Sequence, residues 1–256
     1  MRVEELLKAS AERVGAKVAI VVGRQHHSYG DLERKSARLA SALISRGVGR
    51  GSRIALFMDN TFEAIVSTFA VLKVGAVVTP IDAATDPDTL AVLLERSAAV
   101  GLVTEARLAT TAAAAMVRVP GVKLVVLAGG DRAPSQGSCL AFEDIVGRMA
   151  PVADMPRRGG PGDAAILLQP VGTDGFGEPE MLTHKDLVAA TLSAETREDA
   201  IVVTGVALSS HYGLYQLLTA IRVGATQVLQ GTSAFRETVF NRTDQLQAEA
   251  KLALAG

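Results

Sequence analysis

A glycine-rich loop between a predicted strand and a predicted helix holds the residues with the clearest chemical potential. The five apolar residues Ala164–Leu168 predict a buried strand, and the next helix is predicted to begin near His184. In a loop with Gly172 and Gly175, backbone N–H groups are free to point inward, and a helix N-terminus adds partial positive charge. This combination is typical of loops that bind phosphate groups through the backbone.

The side-chain charges of this loop oppose such a role. The loop carries Asp174, Glu178 and Glu180, and it contains no Lys or Arg between residues 171 and 182. In a partly desolvated site, three carboxylates would repel a triphosphate by on the order of several kcal/mol. We therefore interpret the segment as an ordinary glycine-rich connection, with phosphate binding by its backbone as the alternative.

Histidine and serine residues are the other candidates for chemistry. His211 is predicted to open a helix, and Ser209 and Ser210 precede it, but the sequence has no Gly-x-Ser-x-Gly elbow that would indicate a nucleophile. His26 and His27 are adjacent on a predicted hairpin, so they point to opposite faces and do not bind one metal ion together. We predict no catalytic residue and no metal site.

Composition excludes several classes of partner. The chain has 256 residues, 48% of them apolar, and a net charge of -1, which gives no electrostatic case for nucleic acid or an anionic membrane. The longest apolar run, at about residues 64–81, is divided by Lys73 and Gly75 and predicts a helix leading into a strand rather than a membrane span. Cys139 is the single cysteine, which favours a reducing, cytoplasmic setting.

Strands and helices alternate along the first half of the chain, which predicts a parallel sheet covered by helices on both faces. Ser28 and Asp31 form a predicted capping box, and a strand that begins at residue 76 is predicted to stop at Pro80. We predict a first α/β lobe at residues 1–150 and a linker rich in proline and glycine at 151–163. A partial second lobe follows at 164–256, with the glycine loop, two strand–helix units and a helical tail.

Three segments carry a resemblance to a known family. They are Ser28–Leu32 (SYGDL), residues 59–80 (DNTFE to LKVGAVVTP) and residues 224–229 (GATQVL). Their order and spacing, over roughly residues 5–235, resemble the N-terminal part of the adenylate-forming superfamily of acyl-CoA synthetases, peptide-synthetase adenylation domains and luciferases. The resemblance implies a parallel-rich α/β sheet flanked by helices, with a smaller, incomplete second α/β lobe.

The same resemblance identifies a degenerate phosphate loop. Against the family pattern SGTTGxPKG, residues Gly172, Thr173 and Gly175 match. Asp174 stands where the family has its second threonine, and Glu178 stands where it has lysine. The lysine that would meet a phosphate group is therefore replaced by a carboxylate.

Two helix starts complete the resemblance. Thr183 and the residue after it match the family's TH pair at the end of the loop. Residues 207–214 resemble the pattern PLFHxxGL, with Ser210 where histidine is usual and His211 one place later. The resemblance makes His211 and Gly213 candidates for lining an acyl pocket.

These departures lead to the functional expectation. We expect a truncated, degenerate acyl-CoA synthetase-like protein that does not adenylate a carboxylate alone, because the family's adenine, ribose, hinge and catalytic-lysine elements have no counterpart in these residues. No cofactor is required in this interpretation, and ATP with Mg²⁺ binds only if the loop is functional. The alternatives are the N-terminal half of a ligase completed by a separate chain, and a sensor of an acyl or adenylate ligand.

The resemblance implies a second sheet that later strands complete, so we expect about three strands here, with an open edge and an open face. The predicted tail helix from Phe235 is one candidate to cover this face, and a second protein is the other. We therefore expect a homodimer, or a complex with a protein that completes the second lobe.

Overall fold

The computed structural model describes residues 1–130, 139–148, 159–172 and 175–231. The strands of this part of the chain are β1 Val18–Val22, β2 Gln25–Ser28, β3 Arg53–Met58, β4 Val77–Asp82, β5 Gly101–Glu105, β6 Leu124–Ala128, β7 Cys139–Ala141, β8 Ala164–Leu168, β9 Val171–Gly172, β10 Gly175–Phe176, β11 Glu180–Thr183, β12 Ile201–Thr204 and β13 Thr226–Leu229. The helices are α1 Val3–Val14, α2 Tyr29–Ser45, α3 Phe62–Val74, α4 Pro87–Arg96, α5 Ala109–Met116, α6 Phe142–Arg148, α7 His184–Leu192 and α8 His211–Val223, and a 3-10 turn at Ala106–Leu108 precedes α5.

Two sheets organise these elements. The larger has seven strands in the order β11-β8-β4-β3-β5-β6-β7, and all neighbours in it are parallel except β11 and β8. The smaller has four strands in the order β12-β13-β1-β2, in which β1 and β2 form an antiparallel hairpin. The prediction of a parallel-rich α/β fold is confirmed.

The helices cover both faces of the seven-stranded sheet, because its strands carry apolar residues on both sides. Helices α4 and α5 pack on one face with Phe57 and Leu102 of the sheet. On the other face, α3 is buried along nearly its whole length beside α2, and the core here continues to α1, α8 and the smaller sheet. α3 begins at the Thr61 cap and ends at Gly75, whose left-handed backbone (φ 81°) closes the helix.

The strand pairing crosses the predicted lobe boundary. β8 lies in the seven-stranded sheet beside β4, and β12 and β13 join the N-terminal hairpin in the smaller sheet. The smaller sheet therefore has four strands rather than the expected three. Most of the predicted linker and the tail from residue 232 lie outside the described residues, and the division into lobes at 1–150 and 164–256 stays a prediction.

A prediction that depends only on residues close together in the sequence is confirmed at the start of α2. Ser28 and Asp31 form the expected capping box at the start of α2. One expectation is wrong. Strand β4 does not stop at Pro80 but continues to Asp82, because it still pairs with β3 there, although its pairing with β8 is limited to Val78. Cys139 lies in strand β7, which pairs with β6. No helix of the described chain is long and apolar enough to cross a membrane.

Candidate functional site

A cavity of about 300 Å³ opens at the carboxyl ends of the parallel strands β4 and β8. The end of β4 and the turn after it form one wall, Leu93 of α4 forms the second, and the segment that leaves β8 forms the third. The start of α8 completes the lining with residues 209–211. Clefts at the carboxyl ends of parallel strands are the usual ligand positions in open α/β sheets, so we treat this cavity as the candidate site.

The glycine-rich segment folds as a small hairpin beside the cavity. β9 and β10 pair antiparallel, and the backbone N–H of Gly177 donates to the Pro170 carbonyl oxygen at 2.9 Å. The segment was expected to be an irregular loop up to residue 183. Instead β11 leaves the hairpin and pairs with β8, because its residues Met181 and Leu182 align with the apolar residues of that strand.

A positively charged side chain from helix α4, Arg96, contacts this hairpin. Arg96 of α4 donates from Nη2 to the Gly177 carbonyl oxygen at 3.0 Å, and its guanidinium lies 5.3 Å from the centre of the Phe176 ring. A guanidinium held by a carbonyl and an aromatic face has fewer donors left for an anion. The sequence did not indicate this contact, because 81 residues separate the partners.

The predicted phosphate-loop residues divide into three groups. Gly172 and Gly175 lie on β9 and β10 opposite each other. Thr173 and Asp174 lie outside the described residues. Glu178 is exposed to solvent on the segment between β10 and β11.

Thr183 has a structural role in the described chain. Its Oγ1 accepts from the backbone N–H of Asp186 at 3.2 Å and donates to the Asp186 carboxylate at 2.6 Å, which forms a capping box for α7. The hydrogen bonds from Thr183 hold the pKa of Asp186 below its usual value. The Thr183 hydroxyl is thus committed to the helix start.

The predicted acyl-pocket residues lie at the start of α8, and only His211 lines the cavity. His211 Nε2 is 2.7 Å from a carboxylate oxygen of Glu180, so the ring connects α8 to the edge strand β11. Gly213 packs instead against the preceding turn, where a Cβ would overlap the carbonyl oxygen of Ala207. Ser210 caps the helix by accepting from the Gly213 N–H at 3.1 Å.

Asn60 positions this end of α8, and sequence reasoning did not single it out. Its side-chain amide is buried and donates to the carbonyl oxygens of Val206, at 2.9 Å, and Gln230, at 3.1 Å. Its Oδ1 accepts from the Leu208 N–H at 2.9 Å. One side chain after β3 therefore holds the segments that follow β12 and β13, and so joins the two sheets beside the cavity.

His184 is completely buried at the start of α7 and anchors the N-terminus. Its Nδ1 accepts from the Val3 backbone N–H at 3.2 Å, and its Nε2 lies 3.2 Å from the Arg2 guanidinium. Burial, together with the charge of Arg2, lowers the pKa of His184 to about 4, so the ring is neutral at pH 7. This histidine was predicted only as a helix start, because its N-terminal partners are remote in sequence.

The described residues fit a bound triphosphate poorly. No Lys or Arg occurs between residues 171 and 182, and Arg96, which reaches the hairpin from outside, already contacts Gly177 and Phe176. Within the described ranges, no group of three or more His, Cys, Asp or Glu side chains is arranged to hold a metal ion.

Comparison with known proteins defines the family. The model of the AMP-binding enzyme family matches residues 7–249, and the chain belongs to this family. A medium/long-chain-fatty-acid–CoA and 3-oxocholest-4-en-26-oate–CoA ligase from Mycobacterium marinum is 28% identical over 191 residues, which are 73% of this chain and 35% of the ligase. Tyrocidine synthase 3 of Brevibacillus parabrevis is 31% identical over 184 residues, which are 72% of this chain and 2% of the synthase.

Solved structures agree on the fold. The anthranilate CoA ligase AuaEII, solved in complex with anthranoyl-AMP, superimposes with a TM-score of 0.82 at 21% identity. The match covers 90% of this chain and 45% of that ligase. The chain is therefore acyl-CoA ligase-like and corresponds to the N-terminal part of the family fold. It spans about a third of the length of the fatty-acid ligase that it matches.

Proposed function

We propose that this chain keeps the acyl-CoA ligase fold for binding or association, in an acyl-activation or biosynthetic pathway, and does not adenylate a carboxylate by itself. The observation that carries the proposal is the charge of the hairpin after β8. Glu178 stands where the family pattern has lysine, and no cation occurs between residues 171 and 182. A triphosphate at this position meets negative charge where stabilisation of its phosphates requires positive charge.

The proposal includes the class of ligand and the cellular compartment. An acyl group or an adenylate is the ligand class that family membership supports, and we propose the cavity beside His211 as its binding site. ATP and Mg²⁺ are not required for this role. The single cysteine supports a cytoplasmic setting.

Carboxylate-dependent exchange of pyrophosphate into ATP tests the proposal. The purified chain is incubated with ATP, Mg²⁺ and a panel of aliphatic and aromatic acids, and an active family member serves as the positive control. The expected result is no exchange above the level without acid. Exchange that depends on the added acid would show that the chain completes adenylation, and the proposal would then be abandoned.

A second candidate function is the N-terminal half of an ATP-dependent acyl-CoA or acyl-acid ligase that is completed by a separate chain. The observation in its favour is that the M. marinum protein it resembles is a CoA ligase, of which it spans 35%. Activity that appears only on mixing with a co-purifying protein supports this candidate. The lack of any such partner in affinity purification from the native cell counts against it.

We also propose that the chain associates, as a homodimer or with a protein that completes the second lobe. β11 and β12 are edge strands among the described residues. Two apolar side chains are exposed near β11: Met181 on the strand itself, at 41%, and Leu192 at the end of α7, the helix that follows it, at 66%. Light scattering at micromolar concentration measures the state directly. A monomeric mass for the purified chain, with no partner recovered from cells, contradicts this part of the proposal.

A further inference from the structure

In the cavity at the ends of β4 and β8, the described side chains offer more free hydrogen-bond acceptors than donors. Among the described residues, its lining contains no Lys or Arg, and Asp82 is the one acidic residue. Its volume of about 300 Å³ is enough for a single-ring molecule, since an apolar protein cavity of roughly 150 Å³ binds benzene. The ligand class is therefore set by the polar atoms on the wall.

Asp82 supplies negative charge with spare acceptor capacity. It ends β4 and is half-buried, and one of its oxygens accepts from the Ala84 N–H at 2.8 Å. No cationic side chain pairs with it among the described residues. A carboxylate offers about four acceptor positions, so most of those on Asp82 stay open.

Gln169 adds a second acceptor whose orientation is fixed. Its Nε2 donates to the Leu93 carbonyl oxygen at 3.0 Å, which identifies the other end of the amide as Oε1. That Oε1 is buried and has no hydrogen-bond partner among the described residues. A buried acceptor without a donor is unfavourable, so a ligand that supplies the donor gains affinity here.

His211 is the one basic side chain in the described part of the lining, and it does not change this excess of acceptors. His211 faces Glu180 at 2.7 Å, so a carboxylate already meets its Nε2. From these contacts we propose that the cavity binds a small molecule that carries an amino group in its protonated form, with Asp82 and Gln169 as the acceptors for that ammonium group. This inference rests on the proposed binding function, and it adds a protonated amino group to the acyl or adenylate ligand proposed there.

A matched set of probes tests the ligand class. Benzylamine, benzyl alcohol and benzoate have the same ring and similar size but carry positive, zero and negative charge at pH 7. Titration calorimetry with the intact chain should give a Kd for benzylamine at least about tenfold lower than for either other probe, because charge-assisted hydrogen bonds in a partly buried site are the strong ones. Equal Kd values for the three probes, or tightest binding of benzoate, would overturn the proposal.

Variants locate the site. Asp82→Asn keeps the shape of the side chain and removes its charge, and Gln169→Leu removes the acceptor that has no hydrogen-bond partner. Each variant should reduce the preference for benzylamine, measured as the ratio of the Kd of benzyl alcohol to that of benzylamine, by about tenfold. Asp88→Asn is the matched control, since Asp88 is an exposed carboxylate on the neighbouring helix α4 that pairs with Arg118 and does not line the cavity. Thermal melting followed by circular dichroism confirms that each variant is folded. An unchanged preference in folded Asp82→Asn refutes the assignment.

ATP binding, measured on the same samples, separates the two proposals. If ATP binds and benzylamine is preferred, the premise that the acidic segment after β8 repels a triphosphate is wrong while the ammonium site stands. If ATP does not bind and the three probes are indistinguishable, only the ammonium site is wrong.

Discussion

The triple hydrogen bond of Asn60 gives a sharp prediction about how the two sheets are held together. Replacing Asn60 by alanine removes two donated bonds and one accepted bond, and it leaves the groups of Val206, Leu208 and Gln230 without their partner. A hydrogen bond contributes about 0.5–1.5 kcal/mol net, and a buried group left unsatisfied costs roughly 1–3 kcal/mol. Because water enters part of the gap, we expect the free energy of unfolding to fall by about 2–4 kcal/mol in total.

Asn60→Asp makes the prediction more specific. The carboxylate keeps the acceptor for the Leu208 N–H, but it faces the two carbonyl oxygens that the amide formerly served. At pH 7 this variant should be at least as unstable as Asn60→Ala, since charge repulsion adds to the lost bonds. It should recover relative to Asn60→Ala as the pH falls and the carboxyl group takes up a proton.

Urea unfolding followed by circular dichroism measures both effects. The control is Gln25→Ala, which removes an exposed amide on β2 and should change the free energy of unfolding by less than about 0.5 kcal/mol. If Asn60→Ala behaves like this control, the amide does not hold the sheets together and our account of how α8 is positioned is wrong.

Three further predictions follow from single contacts. His184 has a pKa of about 4 in the folded chain and about 6.5 when unfolded, so the unfolded state binds more protons between these values and stability falls as the pH drops from 6.5 to 4. The free energy of unfolding should fall by roughly 3 kcal/mol over this range. Urea unfolding at several pH values should show a weaker dependence of this free energy on pH for His184→Gln than for wild type, and an equal dependence would contradict the prediction. Gly213→Ala should lower the midpoint of thermal unfolding, because the new methyl group overlaps the Ala207 carbonyl; an unchanged midpoint would show that the turn relaxes freely. Tyr29→Phe removes a buried hydroxyl whose single hydrogen lies between the carbonyl oxygens of Ala220, at 3.1 Å, and Ala225, at 2.6 Å, and the change should lower the free energy of unfolding in urea by about 1–3 kcal/mol. No change would mean that water replaces the hydroxyl.

Short-range chemistry is the part of the fold that the sequence predicts well. The capping box at Ser28, the left-handed glycine after α3 and the β-branched run at Val18–Val22 each depend on neighbours within a few positions. The alternation of strands and helices then indicates a parallel-rich sheet. The motifs that resemble the adenylate-forming superfamily lead to the family that the comparison assigns.

Long-range pairing is the part that the sequence does not predict. β1 pairs with β13, more than two hundred residues away, and nothing in either strand specifies the partner. The burial of His184 depends on the N-terminal segment in the same way, and Arg96 reaches Gly177 only because β8 lies beside β4. In the candidate site, the acids of the glycine hairpin and His211 were visible in the sequence, while the roles of Asn60 and Gln169 follow only from the assembled sheets.

Calorimetry of ATP binding is the most direct test of the central claim that the charge of the glycine-rich segment after β8 prevents triphosphate binding. Wild type, Glu178→Lys and Glu195→Lys are titrated with ATP with and without Mg²⁺; Glu195 is an exposed acid after α7, so its variant makes the same charge change away from the hairpin. The account predicts no measurable heat of binding for wild type and Glu195→Lys, and binding by Glu178→Lys. Micromolar binding by wild type, as tight as that of Glu178→Lys, would contradict it.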